Sequence, residues 1–251
     1  MYKQANNYMQ LTGNKILITG ATSGIGKALT LKFLELDNQI IAVGRNRDRL
    51  NELVSMSNQI IPFECDVSQT TDLNRLVTFV EQKHTDTNIL INNAGIQYNY
   101  DFEQELHLIN KIEHEVQVNL LAPLKLTALL WPILQLQPNA AVVNVSSGLG
   151  LVPKMQAPVY CATKAGIHIF SKALRDQSDK IRIFEIIPPL VDTEMTKGRG
   201  KGKISPEKLV NEFIRSFGKD HFEISIGKVK LLKLINRLSP ALAEKIMNKG
   251  V

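Results

Sequence analysis

The chain has 251 residues, of which 44% are hydrophobic, two cysteines and a net charge of +6. That length suffices for one domain with a large core, and no apolar run reaches the ~18 residues of a membrane-spanning helix. Residues 1–193 hold 17 Lys+Arg against 18 Asp+Glu and residues 194–251 hold 13 against 6, so the basic excess lies in the last quarter, which argues against a generally nucleic-acid-binding surface and for a local basic feature.

Met1 to Gln10 are polar and contain no apolar segment of the signal-peptide kind. Cys65 and Cys161 lack metal-ligand spacing and read as free thiols of a reducing compartment, so a cytoplasmic location is expected. The histidines at 84, 107, 114, 168 and 221 show no ligand spacing either, and no metal site is expected.

In chain order, Lys15–Thr19 reads as a short apolar strand, followed by a helix from about Gly24 to Asp37 with Ile25, Leu29, Phe33 and Leu36 on one face. Further strands are expected at Ile40–Val43, Ile60–Phe63, Ile89–Ile91, Ala141–Val145, Ile183–Ile187 and Phe222–Ile226. Helices are expected near 47–56, 70–84, 111–137 and 157–178. Short apolar strands alternating with helices predict an α/β fold, a Rossmann-like doubly wound parallel sheet of about seven strands covered on both faces. No repeat or linker divides the chain, so 1–251 reads as one domain, with a core of about 11–227 and a basic tail of 228–251.

The turn after the first strand, Thr19-Gly20-Ala21-Thr22-Ser23-Gly24-Ile25-Gly26, carries Gly-x-x-x-Gly-x-Gly. Such glycines let the backbone turn tightly against a pyrophosphate, and the following helix aims its positive end at that anion. The second strand ends in Val43-Gly44-Arg45-Asn46-Arg47. It lacks the acid that would accept a ribose 2′-hydroxyl, whereas the Arg45 guanidinium suits a 2′-phosphate, so NADP is expected over NAD.

Tyr160 and Lys164 stand four residues apart, on one helical face. A phenol is a poor proton donor or acceptor at neutral pH, and an ammonium one turn away is expected to draw its pKa down. Ser146 and Ser147 lie 14 and 13 residues upstream of Tyr160.

With Cys65-Asp66-Val67, Asn92-Asn93-Ala94-Gly95, Asn119 and the stretch from Pro188 to Thr193, these motifs resemble the short-chain dehydrogenase/reductase family over about residues 11–227. Within it the chain looks most similar to the DltE-type oxidoreductases. The resemblance implies hydride transfer between a carbonyl or alcohol substrate and NADP(H). It implies Tyr160 as general acid/base, Lys164 as its modulator and ribose ligand, Ser147 as the group on the substrate oxygen, and Asn119 as holder of a relay water. It further implies cofactor contacts from Gly20, Ser23, Gly24, Ile25 and Gly26, from Asp66 and Val67 to adenine, and from Asn92, Ala94 and Gly95. Val191 and Thr193 would meet the nicotinamide carboxamide. Pro188-Pro189 departs from the family's Pro-Gly and threatens that last loop. The competing class is a non-enzymatic NADP-binding regulator or membrane-surface scaffold, which has no use for a complete Asn-Ser-Tyr-Lys set.

Glu194–Lys203 holds three glycines and reads as a mobile basic segment, a solvated loop first and a lid over an anionic substrate as the alternative. In the tail, Leu231, Leu234 and Ile235 face one way on a helix and Lys230, Lys233 and Arg237 the other, and Ser239-Pro240 starts a second helix. Packing on the domain or on another subunit is expected of it, with an anionic membrane as the alternative. The family resemblance implies a homo-oligomer, dimer or tetramer.

Overall fold

The computed structural model of the protein describes residues 8–104 and 106–248. The ends 1–7 and 249–251, which the expected single domain includes, lie outside the described residues. Seven strands, β1 (Lys15–Thr19), β2 (Gln39–Gly44), β3 (Ile60–Glu64), β4 (Ile89–Asn92), β5 (Ala141–Val145), β6 (Arg182–Ile187) and β7 (Glu223–Ser225), form one parallel sheet in the order β3-β2-β1-β4-β5-β6-β7. The chain direction of travel reverses between β1 and β4, and such a switch point opens a crevice at the carboxyl ends of the strands.

Side chains of a strand alternate between faces. Ile16 and Ile18 of β1 therefore join one core, with Phe33, Phe184, Phe213 and Phe217, while Leu17 joins the other, with Leu73, Leu76, Leu126 and Leu130. The first core is covered by α1 (Gly24–Glu35) and α7 (Pro206–Phe217), the second by α3 (Thr70–Lys83) and α5 (Ala122–Leu134). Phe33 meets Phe213 and Phe217 edge-on at 6.3 Å between centroids, and burying each ring contributes about 1.5–3 kcal/mol.

The remaining helices are α2 (Arg47–Met56), α4 (Leu108–Val116), α6 (Pro158–Arg175), α8 (Val229–Leu238) and α9 (Pro240–Asn248). The helix expected at 111–137 is two α segments, α4 and α5, joined by a π-helical turn at Gln117–Leu121. The stretch Leu108–Leu134 is long and apolar enough by composition to cross a membrane, yet Val118, Ala122, Leu126, Leu130 and Leu134 pack into the second core. The sequence reading missed α7 altogether. Its start carries the signal used for the tail: Ser205 accepts a hydrogen bond from the Lys208 N–H, and Pro206 opens the helix.

Candidate active site

The crevice is a cleft of about 630 Å³ that runs from the first turn to the tail helices. Gly20 turns the chain with φ +66, and a Cβ there would stand 3.0 Å from the Ala94 Cα. Gly26 is more tightly enclosed, since its Cβ would lie 2.0 Å from the Gly20 carbonyl oxygen. Asn93 holds this turn by donating from Nδ2 to the Thr19 and Gly20 carbonyls. Ser23 is the N-cap of α1 but its side chain makes no capping bond, and the first turn of α1 has no acidic residue. The helix therefore presents uncapped N–H groups beside a glycine cradle, which fits a pyrophosphate. Ser23, Gly24 and Ile25 line the cleft at this point, and Ala94 and Gly95 line the facing wall.

Arg45, Asp66 and Val67 follow the ends of β2 and β3, outside the cleft lining. The Arg45 Nη1 stands 3.9 Å from an Asp66 carboxylate oxygen, and the guanidinium is more than half exposed. Val67 is buried in the second core. Asn92 corrects an expectation. Its side chain does not face a ribose but donates to Thr127 Oγ1 at 3.1 Å and Asn144 Oδ1 at 2.9 Å, because its position in β4 turns it into the protein interior.

Tyr160 and Lys164 lie on the buried face of α6, and both line the cleft with Ser147. The Lys164 Nζ is 5.7 Å from the Tyr160 ring centroid and donates to the Val145 carbonyl at 2.8 Å. Burial pushes the Tyr160 hydroxyl up to about 12, against the pull of a hydrogen bond from Ser147. Burial also pushes Lys164 down to about 8, with Glu115 and Glu185 partly opposing it. Burial thus works against the lowered phenol expected from the sequence: dehydration outweighs the Ser147 hydrogen bond and the more distant Arg199 charge, and favours the proton-donating form of Tyr160 at neutral pH.

Asn119 sits in the π turn, a feature frequent at functional sites. Its carboxamide accepts from the Ile96 N–H and donates to the Ile96 carbonyl, both at 2.8 Å, so the side chain fixes the corner after Gly95. Val191 and Thr193 line the cleft despite Pro189, because the loop is stitched by Asp192 N–H to the Ile204 carbonyl and Ile204 N–H to the Leu190 carbonyl. The lid beyond is pinned by a two-pronged Arg49–Glu194 contact, by Arg199 to the Gln97 carbonyl and by Lys203 to the Thr196 carbonyl. Its three glycines serve left-handed turns rather than a free strap.

Several participants were not foreseen. Glu115 is fully buried, accepts from Tyr100 Oη at 2.6 Å and the Tyr98 N–H at 3.2 Å, and has its pKa raised by burial. Tyr98 and Tyr100 thus anchor their loop to α4 and do not line the cleft. Behind Ser147, Ser146 donates to Glu185, which also meets His168 Nδ1 at 2.9 Å. Ligand atoms of His168, Glu185 and Glu223 lie within 4.8 Å of one another, and Glu223 is paired with Lys233 of α8. The tail packs on the domain, one of the placements expected of it, and there Leu231, Leu232, Ile235, Ile246 and Met247 form a wall of the cleft. Sequence periodicity shows an apolar face but not what that face covers.

Lys164 gives a pH signature. Its folded pKa of about 8 lies below the ordinary lysine value, so between about pH 8 and 10.5 the unfolded chain binds the extra proton. The destabilisation from the buried ammonium is complete below pH 8 and fades as pH rises through that window. Lys164→Met removes it, so the melting temperature of the variant minus that of wild type is expected to shrink from pH 7 to pH 10 in thermal scans without ligand. A difference that is flat or grows with pH would count against a strained ammonium.

A family model described as short chain dehydrogenase matches residues 14–203. The uncharacterized oxidoreductase DltE of Bacillus subtilis is 37% identical over 233 residues, covering 90% of this chain and 92% of its own. The 3-oxoacyl-[acyl-carrier-protein] reductase FabG of Thermotoga maritima is 31% identical, covering 75% and 78%. The fold matches a short chain dehydrogenase from Burkholderia cenocepacia in complex with NADP at TM-score 0.85 and 21% identity, covering 95% and 99%. It also matches a short chain dehydrogenase/reductase from Burkholderia phymatum in complex with NAD at 0.80 and 19%, covering 91% and 95%.

Proposed function

Since this chain belongs to the short-chain dehydrogenase/reductase family, we propose that it is an NADP(H)-dependent oxidoreductase that interconverts a carbonyl and an alcohol. The observation that carries the reading is the convergence of Ser147, Tyr160 and Lys164 at one end of a cleft whose other end is the glycine cradle of α1. The cleft fits a dinucleotide by its uncapped helix end and by two glycines whose Cβ atoms would strike backbone. Gly20, Ser23, Gly24 and Ile25 would hold the pyrophosphate, and Val191 and Thr193 the nicotinamide end. A bound nicotinamide supplies or accepts the hydride.

The chain's own residues do the rest. Tyr160, protonated at neutral pH, donates its proton to the substrate oxygen during reduction and recovers it during oxidation. Ser147 hydrogen-bonds that oxygen and steadies the charge that develops on it. Lys164 lies within 5.7 Å of the ring that becomes phenolate, and its charge opposes that of the phenolate. Asn119 keeps the Gly95–Ile96 corner in place. Apolar walls from α8 and α9 exclude water. Two buried free cysteines support the proposal of a reducing, cytoplasmic setting. Exposed apolar residues such as Leu121, Leu129 and Ile169 on the helical face support a homo-oligomer. The regulator alternative remains disfavoured by the catalytic set.

The cofactor preference rests on Arg45, which sits at the end of β2 with its guanidinium exposed. The fission-yeast NADP-dependent 3-hydroxy acid dehydrogenase, 29% identical over 77% of both chains, agrees with it. NADPH is expected to raise the melting temperature more than NADH at equal concentration, because tighter binding to the folded state stabilises it by mass action. Arg45→Ala is expected to narrow the gap by loss of a charge-assisted phosphate contact, about 1.5–3 kcal/mol. Equal shifts with both cofactors in the wild type would refute the preference.

A further inference from the structure

We propose that the outer face of the α8–α9 hairpin docks on an anionic lipid surface, and that the cleft opens onto that surface. The inner face is already covered. Val229 is buried beside Gly148, Asn236 donates to the Leu151 carbonyl, and Asn248 accepts from the Met155 N–H at 2.9 Å. What remains outward is apolar at helical spacing. Leu231, Leu234 and Leu238 are 59%, 54% and 76% exposed, and Leu242 and Ile246 of α9 are 49% and 41% exposed. Met155, tied to α9, is exposed as well. One exposed leucine is ordinary, whereas four leucines and an isoleucine on adjoining helices form a patch that calls for a partner.

Charge selects the partner. Lys230 and Arg237 flank Leu234 one turn on either side, and both are exposed. Among the described residues of the tail, Lys233 alone is in a salt bridge. Across 228–251 the basic residues are Lys228, Lys230, Lys233, Arg237, Lys245 and Lys249, against the single acid Glu244. A two-fold contact between copies through this face would set its basic edge against itself. A bilayer supplies both complements, with headgroup phosphates for the cations and acyl chains for the leucines.

The patch is continuous with the cleft. Leu231 and Ile246 belong to both, and Leu232, Ile235 and Met247 continue the apolar wall inward. An amphiphilic carbonyl or alcohol can thus pass from lipid toward Tyr160 over apolar surface. That substrate class rests on the oxidoreductase reading, while the docking itself does not.

The test is sedimentation of the full chain with vesicles of phosphatidylcholine alone and of phosphatidylcholine mixed with phosphatidylglycerol. Binding is expected to be at least about tenfold stronger on the anionic vesicles and weaker at high salt, as for several basic residues at a charged surface. Leu234 and Leu238 do not line the cleft, so the double variant Leu234→Glu/Leu238→Glu is expected to lose vesicle binding and keep its melting temperature and its NADPH shift. Should that variant unfold, Lys230→Glu/Arg237→Glu carries the same expectation without touching an apolar contact. Wild-type protein that stays in the supernatant, or binds both vesicle types equally, overturns the proposal. So does a light-scattering mass that falls in the leucine variant, which would show a second copy covering the face. Vesicle binding without any NADPH shift would leave docking intact and overturn the function proposed above.

Discussion

Tyr160→Phe is expected to lower turnover by about 10²–10⁴-fold, the range for loss of a positioned general acid. The substitution keeps the ring, which is buried on α6 beside Lys164, and removes only the hydroxyl that Ser147 contacts. Ser147 and Lys164 remain, so polarisation of the substrate oxygen persists while the proton source is gone. Folding should change by only about 0.5–1.5 kcal/mol, the net worth of one hydrogen bond. The stabilisation by NADPH should persist, because the glycine cradle lies at the other end of the cleft. Steady-state rates beside thermal scans separate the two effects. A variant that turns over near the wild-type rate would remove Tyr160 from the chemistry.

Gly26→Ala is expected to act at the opposite end and by a different cause. The added Cβ would meet the Gly20 carbonyl oxygen at 2.0 Å, the Asn93 Nδ2 at 2.5 Å and the Gly20 carbonyl carbon at 2.7 Å. Two of these are backbone atoms, and the third is held by bonds to the Thr19 and Gly20 carbonyls. The turn must therefore open. Such overpacking destabilises by about 1–3 kcal/mol, and the displaced N–H groups should weaken NADPH binding by at least about tenfold, a 1.4 kcal/mol effect. Calorimetric titration should show that loss, together with a lower melting temperature. An alanine variant that binds NADPH as wild type does would mean that the turn is not the phosphate cradle.

What the sequence disclosed follows from which interactions are local. The β strands were legible because each is a short apolar run, buried on both faces in all but the edge strands β3 and β7, and β1 to β6 fall within a residue or two of their expected places. The turn at Gly20–Gly26 and the pair Tyr160–Lys164 were legible because spacing along one element fixes their geometry. Asn92 was misplaced because adjacent residues in a strand face opposite ways, and the family motif does not say which of Asn92 and Asn93 points outward. Glu115, Glu185 and His168 were invisible, since their partners lie in other elements. The upward push on Tyr160 was not legible, because pair spacing conveys a neighbouring charge but not the dehydration that burial imposes. The tail was seen as amphipathic, but only packing revealed that its inner face walls the cleft and its outer face stays bare.

Isotope transfer tests the central claim most directly. Purified protein is incubated with NADPH deuterated at the transferable nicotinamide position and with a panel of carbonyl compounds that includes long-chain ketones, and the alcohol products are weighed by mass spectrometry. The account predicts an alcohol carrying one deuterium on the carbinol carbon, absent when Tyr160→Phe replaces the wild type. NADPH that binds and stabilises the protein yet delivers no deuterium to any carbonyl on the panel would contradict it, and would leave a nucleotide-binding module in place of an enzyme.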